Sequence, residues 1–66
     1  MDFKELEKHI GFNVKVIFQD GVEIKRKEGL FSGYDETHLW LTIGEKVEGL
    51  LRLNIVRIEF KKEELV

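Results

Sequence analysis

A change of hydrophobic period at Gly11 constrains this chain more than any other feature. Before it, Phe3, Leu6 and Ile10 recur at i, i+3 and i+7, which places them on one face of a helix. Asp2 stands where an N-cap belongs, with Glu5 three residues on as in a capping box. Gly11 suits a left-handed terminator. A short α-helix over about 2–10 follows, and it must dock its apolar stripe on something, because so short a helix does not hold alone in water. After Gly11 the period is two. Val14, Val16 and Phe18 alternate with Asn13, Lys15 and Ile17 in a strand over about 12–19, and Asp20-Gly21 reads as a hairpin turn. A long second strand over about 22–34 carries Gly29 and Gly33. Glycines inside a strand mark bends, bulges or close backbone approach, so this strand can curl enough to serve both halves of a small barrel. Asp35-Glu36-Thr37 and Gly44-Glu45-Lys46 are turns that separate strands over about 38–43 and 47–53, and a last strand covers about 55–60. The tail over 61–66 is charged and is expected to fray.

One helix followed by five short strands in 66 residues, with no linker or repeat, is one mostly β domain spanning 1–66. The economical architecture is a small barrel of strongly bent antiparallel strands, of the SH3-like kind. So short a chain buries a modest share of its surface. It has no cysteine for a disulfide, so stability is expected from tight packing or oligomerisation. Two histidines and no cysteine exclude the common structural zinc patterns, and no cofactor is expected. No apolar run reaches the roughly 18 residues of a membrane span. The N-terminus lacks a basic and then apolar leader, so a cytoplasmic protein is expected. The net charge of −2 argues against a dedicated duplex-DNA binder, whose affinity rests on phosphate contacts.

The run Gly29-Leu30-Phe31-Ser32-Gly33-Tyr34-Asp35 resembles the first signature of the Sm-like family. There a Gly on the bent second strand lies six residues before an Asp that follows a Gly-aromatic pair. Leu39-Trp40-Leu41 resembles the family's third strand, Val14-Lys15-Val16 with Asp20-Gly21 its first strand and hairpin, and Ile55 to Phe60 its last strand. Arg52-Leu53-Asn54 is the nearest match to the second signature, Arg-Gly-Asn. The resemblance covers nearly the whole chain and implies an Sm-like barrel that assembles into a hexameric or heptameric ring and holds single-stranded RNA rich in uridine or adenine. No small-molecule substrate is implied.

The resemblance implies RNA contacts at Asp35, Thr37, His38, Arg52 and Asn54. Thr37 stands two residues after the Asp, and His38, with a one-residue gap, at the position of the family's Asn. Read as residues alone, Asp35 is first a turn former whose carboxylate accepts backbone N–H groups. His38 is equally a half-exposed strand residue or a group that stacks on a base. Arg52 and Asn54 can grip a base and a phosphate, or be a solvated Arg and a turn-forming Asn. Lys25-Arg26-Lys27, flanked by Glu23 and Glu28, reads mainly as a solvated hairpin, and Trp40 as a structural aromatic covering the barrel mouth beneath Phe3 and Leu6.

Leu50, Leu51 and Leu53 put apolar side chains on both faces of the fourth strand, where a half-solvated strand would alternate. One face is expected to meet the chain's own core and the other a neighbour. In Sm-like rings the fourth strand of one subunit pairs with the fifth of the next, a heterologous contact that closes by rotation. This implies an interface at Leu50, Leu51, Leu53, Ile55 and Arg57. A barrel that binds protein and has lost RNA affinity is the alternative. An enzyme is not expected, since no cysteine, triad or metal spacing is present.

Overall fold

The computed structural model describes residues 3–60. The expected cap at Asp2, the side chain of Phe3 and the tail over 61–66 lie outside what it describes. The element order is a 3-10 helix Phe3–His9, then β1 Asn13–Asp20, β2 Glu23–Tyr34, β3 His38–Ile43, β4 Lys46–Leu51, a 3-10 turn Arg52–Asn54, and β5 Ile55–Phe60. The strands form one antiparallel sheet in the order β4-β3-β2-β1-β5.

The N-terminal segment differs from expectation. It is a 3-10 helix rather than an α-helix, and Ile10 is left exposed while Leu6 is buried. Three residues per turn eclipse positions i and i+3. Leu6 therefore enters the core and His9 stacks on Phe60 of β5, ring centroids 4.0 Å apart. An α-helical stripe ending at Ile10 would have aimed a different set of side chains at the sheet.

β2 organises the sheet. Glu23 to Leu30 pair with β1, and Leu30 to Tyr34 pair with β3. The handover falls beside Gly29, where a Cβ would lie 2.7 Å from Ile43 Cγ1 and 2.9 Å from the Thr42 carbonyl oxygen. Glycine is required there for space. The register with β3 shifts between Phe31 and Gly33, a bulge that sharpens the bend. The sheet curls far enough that Lys27 Nζ in the first half of β2 donates to Glu48 of β4 at 2.5 Å. The β1–β2 and β3–β4 hairpins close with two-residue turns, Gly21-Val22 and Gly44-Glu45, with φ of +63° at each glycine and at neither following residue. That is the type II′ pattern, matched to strand twist.

The concave face is filled by Leu6, Val14, Val16, Phe18, Phe31, Leu39, Leu41 and Leu50, all buried. The period-two reading of β1 and β3 is what places these residues. The fourth strand is shorter than expected. It ends at Leu51, and Leu53 sits in the following 3-10 turn, almost fully exposed. Leu50 faces the chain's own core, whereas Val47 and Leu51 face outward. Trp40 does not cover a barrel mouth with Leu6. It lies on the opposite face of β3 from buried Leu39 and Leu41, its ring over Gly49 of β4. A Cβ on Gly49 would come within 2.5 Å of the indole. β4 and β5 end the sheet, and among the described residues they are not paired with each other.

Candidate functional site

The β2–β3 turn is built on one carboxylate. Asp35 Oδ1 accepts the backbone N–H of Thr37 at 2.8 Å and of His38 at 2.7 Å, and the Thr37 hydroxyl at 3.1 Å. Its Oδ2 accepts the Trp40 indole N–H at 3.2 Å, and the Asp35 backbone N–H donates to the His38 carbonyl at 2.9 Å. Donors facing a carboxylate stabilise its charged form. The Thr37 and His38 backbone N–H groups accordingly hold the Asp35 carboxyl down at about 2, with smaller help from the Trp40 indole and the Thr37 hydroxyl.

A carboxyl whose folded value lies below its ordinary 3.8 adds stability above the ordinary value and loses it as pH falls through the folded one. Thermal unfolding followed by circular dichroism is therefore expected to show a midpoint falling as pH drops from 3.8 towards 2. Asp35→Asn should lower the midpoint at neutral pH and flatten this acid limb. An equally steep limb in the variant would remove Asp35 as its source.

The 3-10 turn after β4 is tied to the same loop. The Arg52 backbone N–H donates to the Thr37 carbonyl, and Arg52 Nη1 to the Asp35 carbonyl, each at 2.8 Å. The guanidinium carbon lies 5.7 Å from the centre of the Tyr34 ring, within cation–π reach. Tyr34 in turn donates its hydroxyl to Glu7 of the N-terminal helix at 2.5 Å. Between the two turns runs a groove of about 330 Å³ lined by Glu36, Thr37, Leu51, Arg52 and Leu53. Mostly apolar walls with a few polar groups are usual for small-ligand sites of this volume. His38 is not among its lining residues; it is paired across the ladder with Leu51, and its ring stacks on Trp40 with centroids 5.3 Å apart.

Asp35, Thr37, His38 and Arg52 are thus brought together. Asn54 is exposed at the end of the 3-10 turn and does not line the groove. Of the interface candidates, Leu51, Leu53 and Arg57 are exposed, Ile55 is half-buried against the core, and Leu50 is buried. Sequence reading missed Tyr34, Glu36 and Trp40 as parts of the site. For Trp40 the signal was available, since period-two alternation puts it on the same face as His38.

A second recess of about 420 Å³, lined by Ile17, Ile24, Lys25 and Arg26, sits on the β1–β2 hairpin and includes none of these residues. Lys25 there pairs with Asp20 at 2.8 Å, and Lys27 with Glu48, so much of the basic cluster is matched within the chain. The described residues hold no cluster of side chains fit to bind a metal ion, and no helix long and apolar enough to cross a membrane. Comparison with protein-family models, characterised proteins and solved structures finds no match.

Proposed function

We propose that the chain is a subunit of an Sm-like ring that holds single-stranded RNA in the groove between the β2–β3 turn and the 3-10 turn after β4. The observation that carries this reading is the junction of the two turns through Arg52, which donates to the carbonyls of both Asp35 and Thr37. Two chain-distant loops are thereby held as one rigid rim beside a groove with apolar walls. A single-strand site needs that arrangement, with surfaces for unstacked bases and a cation for the backbone. The sheet order, in which β4 and β5 each leave one edge unpaired among the described residues, suits subunits that complete one another's sheets. The protein presents or protects RNA and catalyses no reaction. With a net charge of −2, stacking rather than bulk charge carries the affinity.

Arg52→Ala is expected to weaken binding of a labelled oligouridine by roughly tenfold or more, equivalent to about 1.4 kcal/mol or more, in fluorescence anisotropy at near-physiological salt. The native mass should not change. Equal binding by wild type and variant would remove the groove as the site. The second reading is a protein-binding module, favoured by the exposed Val47, Leu51 and Leu53. An intact ring that is not retained on a poly-uridine column would select it.

A further inference from the structure

Lys27 and Glu48 reach each other from strands that are not neighbours. In the sheet order β3 lies between β2 and β4, and the first half of β2, which holds Lys27, pairs with β1 rather than with β3. Residues directly opposite in a ladder share a face. Lys27 stands opposite Val16 and Glu48 opposite Leu41, both fully buried in the core. The two charged side chains therefore rise from the concave face and meet at 2.5 Å across its open side. Lys25 shares that face, opposite Phe18, but is held at its own hairpin by Asp20 at 2.8 Å. The ion pair also completes a row. On its other side Val16 is opposite Ile58 of β5, so Ile58, Val16, Lys27 and Glu48 lead in turn from β5 to β4. Those two strands carry the edges left unpaired among the described residues.

We infer that the Lys27–Glu48 ion pair is a brace that sets the angle between the β4 and β5 edges, and with it the number of subunits that close the ring. This inference rests on the ring reading above, though not on RNA binding. A heterologous contact closes only where the turn from one subunit to the next divides the circle, and rings of six and seven differ by about 9° in that turn. The row from Ile58 to Lys27 crosses two strand spacings, about 10 Å, so a displacement of about 1 Å at its end swings one edge by about 6°. Releasing a 2.5 Å contact permits a shift of that size. Loss of the brace is therefore large enough to move the chain from one ring size towards the next. It is not large enough to unfold it, because an ion pair whose side chains are 35% and 37% exposed adds little to stability.

Native mass spectrometry of the intact protein counts the copies in each ring. Wild type should give one ring size. Lys27→Met, which keeps the apolar stem, and Glu48→Gln, which keeps the shape, should each give a different size or a mixture of sizes. Their circular dichroism spectra should be unchanged and their thermal midpoints nearly so. The exchange Lys27→Glu, Glu48→Lys should return the single wild-type size. A pair that merely stabilised the fold would move the midpoint and leave the count alone. Rings of the wild-type size in both single variants overturn the inference and leave the ring reading standing. A mixture of sizes already in wild type does the same, as does failure of the exchange to restore the count. Single variants that unfold also overturn it, since the pair would then hold the core together rather than set an angle. A wild type that is monomeric throughout overturns the inference and the ring reading together.

Discussion

Gly29→Ala is expected to cost about 2–3 kcal/mol, the upper part of the range for overpacking a tight contact, and to lower the thermal midpoint by roughly 10–20 °C. The added Cβ would meet Ile43 Cγ1 at 2.7 Å and the Thr42 carbonyl oxygen at 2.9 Å. The side chain can turn away, but the carbonyl belongs to the β3 ladder beside the Leu30–Thr42 pair. Relief requires β2 and β3 to separate at the point where β2 leaves β1 for β3. The total stability of a single core this small is about 3–5 kcal/mol, so the loss consumes much of it. Gly21→Ala is the comparison. Its φ of +63° is strained for alanine, yet nothing lies within 4 Å of the added carbon, and the expected cost is about 1 kcal/mol. Urea denaturation monitored by circular dichroism separates the two, and equal midpoints would show that the β2–β3 approach is slack.

The double substitution Val47→Lys, Val56→Lys is expected to abolish self-association while leaving the fold intact. Val47 is 62% exposed on the outer face of β4, and Val56 is 57% exposed at the irregularity in the β1–β5 register. Each β-branched side chain sits on a strand at one end of the sheet. Lysine on an edge strand is a natural block to strand addition, and neither position contributes to the buried core. Loss of assembly with an unchanged circular dichroism spectrum is the expected result. An unfolded variant would instead mean that these residues support the chain's own packing.

Alternation made most of this fold legible. Val14, Val16, Leu39 and Leu41 are fully buried, as a period of two requires, and β3 and β5 have the expected bounds. The start of β2 moved by one residue because the turn is Gly21-Val22, a II′ geometry, rather than Asp20-Gly21. Leu53 was misread for a plainer reason. Alternation separates inward Leu50 from outward Leu51 and Leu53, but nothing in three nearby leucines marks where the strand stops, and the 3-10 turn begins at Arg52. The N-terminal helix was placed correctly but given the wrong winding, since i, i+3 spacing serves a 3-10 helix as well as an α-helix. The turn at Asp35 was readable from its chemistry. Its tie to Arg52 was not, because a guanidinium reaching back 17 residues to a backbone carbonyl leaves no local pattern.

The site as proposed depends on strands that end a sheet in one chain and continue it in the next. Multi-angle light scattering on the wild-type protein at micromolar concentration measures this directly. A particle of six or seven copies of the 7.8 kDa chain is the expected result. A single 7.8 kDa species persisting to millimolar concentration would contradict it.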